Sequence, residues 1–291
     1  STPMPELTRR QFIAGVAAAG TAAMAGGFAH AAPAAAKPRS GADLVTLGKS
    51  NITTSLLGVG TGTRGGSEQR LLGPDAFARI VRHAYDCGVR YIDTADRYRT
   101  HGLVRNAIKG LPREDLFIQT KSAARSAEEA AADIERFRVE LGVDYLDTVL
   151  MHCMTRRTFP TDMRPVQDAL REAKQKGTVR AIGVSCHGFP PLEASADCDG
   201  LDVHLVRINP FGDKMGGTPD DVAAQMQKMS RDNRGILGMK IFGETGFDSR
   251  EKRLESLRYV LGLGTVHAFT IGFTSTEQVD ETLDLIQQAT A

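Results

Sequence analysis

An α/β fold, a (β/α)8 TIM barrel with an N-terminal β-hairpin closing its floor, is predicted by three features of this 291-residue chain. Short apolar runs alternate with longer stretches of helical periodicity, eight times over. Strand followed by helix, repeated, implies a parallel sheet, and eight such units can close it. Chemically capable side chains stand at the C-terminal ends of several runs, the face on which a parallel barrel assembles its active site.

Residues 44–54, with Gly48 and Asn51 between apolar positions, read as the sealing hairpin. The strands are expected at residues 56–59, 91–93, 117–121, 148–151, 181–185, 205–209, 237–241 and 268–271. Helices are expected near 74–87, 103–110, 126–141, 163–176, 191–196, 219–232, 250–261 and 276–289, with the weakest pattern at 191–196.

Residues 1–36 form a separate text. Thr8-Arg9-Arg10-Gln11-Phe12-Ile13 precedes an uncharged, Ala- and Gly-rich stretch to Ala29, then the small-residue patterns Ala29-His30-Ala31 and Ala34-Ala35-Ala36. Twin arginines, a mildly apolar core and an A-x-A exit read as a Tat export signal. The expectation is a leader over 1–36 and a barrel over 37–291, exported by the Tat machinery to the periplasm with no stable membrane anchor after cleavage. Because that route carries folded proteins, a tightly held cofactor acquired before export is expected too. Formal net charge is +1. Removing Arg9, Arg10 and Glu6 leaves the remainder neutral, so no electrostatic case for nucleic acid exists.

Asp93 and Tyr98 fall in Tyr91-Ile-Asp-Thr-Ala-Asp-Arg-Tyr98, Lys121 closes Leu116-Phe-Ile-Gln-Thr-Lys121, and His152 closes Asp147-Thr-Val-Leu-Met-His152. A carboxylate, a phenol, an ammonium and an imidazole at one barrel mouth can protonate a carbonyl. A free tyrosine, with a pKa of about 10, is a weak donor at neutral pH, and a neighbouring ammonium favours its phenolate. Lys121 is expected to be that neighbour, Asp93 to keep Lys121 charged, and His152 to orient the carbonyl oxygen.

Together these residues resemble the catalytic tetrad of the aldo-keto reductase superfamily. Gly88-Val-Arg-Tyr-Ile-Asp-Thr-Ala95 followed by Tyr98, the Thr120-Lys121 strand end, Leu150-Met-His152 and Arg180-Ala-Ile-Gly-Val-Ser185 are similar to family motifs in the family's order, over roughly residues 44–290. The resemblance implies an NADP-dependent oxidoreductase, with NAD possible, that reduces an aldehyde or ketone or oxidises the alcohol. It makes Tyr98 the general acid/base, tuned by Lys121, beside a bound nicotinamide that supplies hydride.

On the cofactor side the resemblance assigns Ser185, Cys186, Phe211, Lys240, Phe242, Gly243, Gly272, Thr274, Ser275 and Gln278. Relatives usually carry Ser-Asn where this chain has Ser185-Cys186, and Gln where it has Leu205. In Gly272-Phe-Thr-Ser-Thr-Glu-Gln278 the customary lysine and arginine are replaced by Phe273 and Gln278, and an asparagine by Thr282. The charge clamp for a 2′-phosphate is therefore missing, although hydroxyls and free N–H groups at a helix N-terminus suit a phosphate.

Arg64, Arg97 and Met154 are candidate substrate contacts near the mouth, and the arginines favour a polar or anionic carbonyl compound such as a sugar. Arg207, alternating with Leu205 and Asn209 in an apolar strand, requires a partner that the sequence does not name. The four cysteines show no C-x-x-C spacing. Cys153 and Cys186 stand beside His152 and His187 at successive strand ends, leaving a disulfide or a metal site open, with no metal assigned. Two other functions remain: a redox-inactive nucleotide-binding sensor or auxiliary subunit on the same barrel, and an exported glycosidase. The last is disfavoured, because it needs two strand-end carboxylates and only Asp93 is clear.

Overall fold

The structure is a computed structural model that describes residues 37–291 apart from Thr245; the expected leader lies outside the described residues. An antiparallel hairpin comes first, β1 (Leu44–Thr46) against β2 (Thr53–Ser55), pairing Leu44 with Ser55 and Thr46 with Thr53. Eight strands follow: β3 (Leu57–Gly60), β4 (Tyr91–Asp93), β5 (Phe117–Ser122), β6 (Leu146–Met154), β7 (Val179–Cys186), β8 (Val203–Arg207), β9 (Gly235–Met239) and β10 (Ala268–Gly272). They close in the order β10-β3-β4-β5-β6-β7-β8-β9, every neighbouring pair parallel.

The helices are α1 (Ser67–Asp86), α2 (His101–Ile108), α3 (Ala127–Leu141), α4 (Phe159–Asp162), α5 (Arg164–Gln175), α6 (Phe189–Asp197), α7 (Pro219–Arg231), α8 (Arg250–Gly262) and α9 (Thr276–Thr290). Ser126, Thr218, Ser249 and Ser275 each accept a backbone N–H three residues on, capping α3, α7, α8 and α9. No helix among the described residues is long and apolar enough to cross a membrane.

Two apolar layers follow from strand alternation. Inward side chains, among them Tyr91, Phe117, Leu150, Val203, Leu205 and Leu237, pack with Leu47 and Ile52 of the hairpin, so the lower barrel is filled rather than hollow. Leu47 is fully buried as the plug of that floor, and truncating it to alanine would cost about 2–5 kcal/mol. Outward side chains pack against the helices in a second, larger cluster. Near the N-terminal end of β6, buried Asp147 accepts from Arg113 and Arg180, each at 2.7 Å, and from the Ile118 N–H at 2.8 Å. That pairing lies at the opposite end of the barrel from the mouth and serves stability.

Several expected boundaries move. The helix expected from Pro74 is present, and an unexpected helical segment, residues 67–72, precedes it across a kink at Gly73, whose φ of 77° breaks the helix. The expected 163–176 helix is preceded by a separate short turn, α4, and β8 lies two residues before its expected place.

Candidate active site

Lys121 leaves the end of β5 completely buried, and its ammonium donates to Asp93 Oδ1 at 2.6 Å and to the Thr94 carbonyl at 2.8 Å. Gln119 Nε2 donates to the same Asp93 oxygen and to the Tyr91 hydroxyl, both at 2.8 Å, while Thr148 Oγ1 donates to Gln119 Oε1 at 3.0 Å. Burial is the largest single influence and disfavours the ammonium, but the charge and hydrogen bonding of Asp93 and Tyr98 together outweigh it, and Lys121 is held above its ordinary value.

Tyr98 sits on the turn after β4, with the Lys121 ammonium 4.9 Å from its ring centroid. The His152 ring meets it edge-on at 5.5 Å and 87°. Gly62 makes room for the phenol: a Cβ there would lie 2.5 Å from the Tyr98 ring carbons and 2.9 Å from its oxygen. The acidified phenol expected from the sequence is corrected here. Burial raises the Tyr98 pKa more than Lys121 lowers it, so the hydroxyl stays protonated beyond its ordinary range.

His152 is pushed down to about 2, by burial first and then by Lys121, His187, Arg97 and Arg125, so its imidazole is neutral. Its Nδ1 is buried without a partner. An unpaired acceptor nitrogen is less costly to bury than an unpaired N–H, which places the single proton on Nε2.

A cavity of about 330 Å³ opens from Tyr98 and Asp93 along the ends of β3, β9 and β10 to α9. Of the residues named from sequence, Lys240, Phe242, Gly243, Gly272, Thr274 and Gln278 line it, and Ser275 caps α9 at its far end. Ser185 is buried and accepts the Cys153 N–H at 3.4 Å. Phe211 is 44% exposed and packs edge-on against Phe247, itself a cavity residue.

Other assignments are corrected. Cys186 turns outward into the helix layer, with Sγ 3.4 Å from the Pro191 carbonyl, and does not face the cavity. Met154 is 4% exposed in the same outer layer, because Cys153 takes φ 62° and the β6–β7 register breaks between Met151 and Met154. Arg64 points into solvent and pairs with Glu68 at 3.2 Å, whereas Arg97 is exposed close enough to depress His152 and His187. All four cysteines are free.

The cavity also contains residues without a sequence signal, including Thr63, Glu68, Met239, Arg253 and Glu281. Its cations are already engaged: Lys240 with Glu244 at 2.5 Å, and Arg253 with Glu281 at 3.0 Å. Away from the mouth, His83, Cys87 and Asp280 place ligand atoms within 4.8 Å of one another, with His83 and Asp280 hydrogen bonded at 2.6 Å as in a surface ion pair.

A closed parallel barrel that gathers a tyrosine, a lysine, an aspartate and a histidine at its mouth has the groups for proton transfer at a buried site. The sequence pattern of the Aldo/keto reductase family matches residues 56–255, and the chain belongs to that family of NAD(P)-dependent oxidoreductases. It is similar to an NADH-specific methylglyoxal reductase of Escherichia coli, 29% identical over 170 residues, which cover 48% of this chain and 51% of that protein. A 9,11-endoperoxide prostaglandin H2 reductase of Trypanosoma cruzi is 36% identical over 112 residues, covering 37% and 38%. The chain thus spans about half or less of the length of these relatives. In fold it is similar to an aldo-keto reductase from Bacillus halodurans in holo form, with TM-score 0.68, 18% identity and coverage of 85% and 95%. The Bombyx mori enzyme in complex with NADP gives TM-score 0.65, 20% identity and coverage of 85% and 92%.

The cavity residues fit a dinucleotide. Thr270 Oγ1 is buried and unpartnered in its wall, and the α9 N-terminus with Thr274 and Ser275 suits a phosphate.

Proposed function

We propose that the chain is an NAD(P)H-dependent carbonyl reductase with Tyr98 as its proton donor. One observation carries the reading: a buried, fully paired ammonium lies against the ring of a protonated phenol, with a neutral imidazole edge-on to that phenol. When bound, a reduced nicotinamide supplies the hydride that goes to the carbonyl carbon. Tyr98 gives its hydroxyl proton to the carbonyl oxygen, so that the hydride's two electrons and one hydrogen together with this proton complete the alcohol. Nε2–H of His152 donates to the same oxygen and fixes its position. Lys121 stabilises the phenolate left behind, and Asp93 holds Lys121 in place.

Lys240, Phe242, Gly243, Gly272, Thr274, Ser275 and Gln278 would hold the dinucleotide. Among the described cavity residues both cations are committed to carboxylates, so a 2′-phosphate meets no free charge. Use of NADH, or weak discrimination between the two nucleotides, follows. Export to the periplasm belongs to the same proposal, supported by the Arg9-Arg10 pair and the apolar stretch behind it. Its test is cell fractionation of a twin-lysine variant, which should remain in the cytoplasm.

Methylglyoxal reduction by the wild type and Tyr98→Phe, with nucleotide affinity measured alongside, tests the chemistry. The variant should lose turnover by 10²-fold or more, the typical contribution of a positioned general acid, while dissociation constants for nucleotide change little. Undiminished turnover would remove Tyr98 from its role.

A further inference from the structure

Arg207 ends β8 pointing to the barrel mouth, where Nη1 donates to the Lys214 carbonyl at 2.9 Å and Nη2 lies 2.8 Å from His187 Nδ1. Its Nε is buried and unpartnered, and no carboxylate among the described residues approaches within 4 Å. A half-buried guanidinium with no carboxylate in contact is under-compensated: a neutral imidazole does not supply the missing charge, and Glu244 and Asp213 act on it only from a distance. The loop behind it is fixed: Asn209 Oδ1 accepts from Phe211 and Asp213, and Asn209 Nδ2 donates to the Asp213 and Lys240 carbonyls.

The His187 ring lies 5.9 Å from the His152 ring, which lies 5.5 Å from Tyr98. The guanidinium is close enough to Tyr98 for each to act on the other's charge. Arg97 and Arg125 also add positive charge within electrostatic range of His152, the Arg125 guanidinium donating to the Ala123 and Ala124 carbonyls rather than to a carboxylate. Lys121 and Lys240, by contrast, are neutralised by Asp93 and Glu244. The charge left over at the carbonyl end is positive.

Resting on the reductase reading, we propose that Arg207 is a specificity-determining residue that binds the carboxylate of an anionic carbonyl substrate, of the 2-oxo or semialdehyde acid class. An Arg–carboxylate pair supplies bidentate recognition in the geometry that the guanidinium lacks within the protein. Reduction is then the same two-electron step: glyoxylate, a reduced nicotinamide and one proton give glycolate and the oxidised nicotinamide.

Kinetics with glyoxylate and methylglyoxal, for the wild type, Arg207→Met and Arg207→Lys, test it. In Arg207→Met the ratio of kcat/KM for glyoxylate to that for methylglyoxal should fall about ten- to hundredfold, mostly through KM, as expected for one charge-assisted pair. Arg207→Lys should recover part of the ratio. Equal losses with both substrates would overturn the proposal. Calorimetry with oxamate, an unreactive 2-oxo carboxylate analogue, on protein loaded with reduced nucleotide gives a reading independent of turnover. Its dissociation constant should rise at least tenfold in Arg207→Met, and no change would overturn the proposal. Loss of nucleotide affinity in the same variant would assign the guanidinium to a cofactor phosphate and overturn it equally. Arg207-dependent oxamate binding in a wild type that reduces neither carbonyl would sink the reductase reading and leave the anion subsite standing.

Discussion

The Lys121 ammonium and the Asp93 carboxylate form a 2.6 Å ion pair, with side-chain exposures of 0% and 6%, at the junction of β4 and β5. Neither partner can be removed alone without stranding a buried charge. Asp93→Asn and Lys121→Met should each destabilise the fold by about 3–5 kcal/mol in urea unfolding. The double variant should cost less than the sum of the two and still lack reductase activity. Additive losses would show that the two charges do not depend on each other.

Because burial holds the Tyr98 hydroxyl protonated, reduction should run at constant kcat/KM from neutral pH until the phenol ionises above its ordinary value of about 10. Alcohol oxidation needs the phenolate and should rise with pH over the same range. Removing the cation in Lys121→Met removes an influence that lowers the phenol's pKa. What activity remains should then show its alkaline limb at higher pH.

Acid should unfold this protein through its histidines. His152 is pushed down to about 2, and His187 and His204 to about 3, burial being the first cause of each. Unfolded, all three return to about 6.5, so between about 6.5 and 3 the unfolded chain binds protons that the folded chain refuses. Stability is fully present above about 6.5 and is lost as pH falls, by up to about 1.4 kcal/mol per pH unit for each group. His204 has both ring nitrogens buried and unpartnered, outside the proposed chemistry. Replacing it with leucine should flatten the fall in Tm between pH 6.5 and 5.

Gly62 has φ −107°, which alanine tolerates, so Gly62→Ala tests space rather than backbone freedom. The added Cβ would meet the Tyr98 ring at 2.5 Å and force the phenol to move. A stability loss of about 1–3 kcal/mol is expected. Turnover should fall at least about tenfold, since small displacements of reacting groups are costly. Unchanged kinetics would mean that the phenol's position is not critical.

Glu281 occupies Arg253 at 3.0 Å, and Arg250 reaches the same carboxylate at 3.3 Å. Glu281→Gln should release positive charge beside Thr274 and Gln278. The ratio of NADPH to NADH affinity, measured by fluorescence titration, should rise several-fold, as one added phosphate contact allows. A ratio that stays fixed would place the 2′ position elsewhere.

Strand ends were the most legible feature, because a run such as Phe117-Ile-Gln-Thr-Lys121 carries both a β-pattern and the polar residue that ends it. Alternation turns Ser185 toward the barrel and Cys186 toward the helices, but the motif resemblance assigned both to the cofactor and so overrode that local signal. Alternation itself failed at Met154, where a strict pattern from Leu150 and His152 predicts an inward side chain. The positive φ of Cys153 inserts an irregularity that no local residue pattern announces. Arg253 and Glu281 had no signal, since helices distant in the chain bring them to the cavity.

The chain's own order of residues determined the eight strand-helix units and placed Asp93, Tyr98, Lys121 and His152 at one end of them, because period and strand direction are local properties. Tertiary structure alone decided the balance of charges. Whether Tyr98 is made more or less acidic, and whether Lys240, Arg253 or Arg207 meets a carboxylate, depends on burial and distances between segments far apart in sequence. Coulomb energy and desolvation are set by those three-dimensional separations and by the surrounding dielectric, neither of which is written in residue spacing.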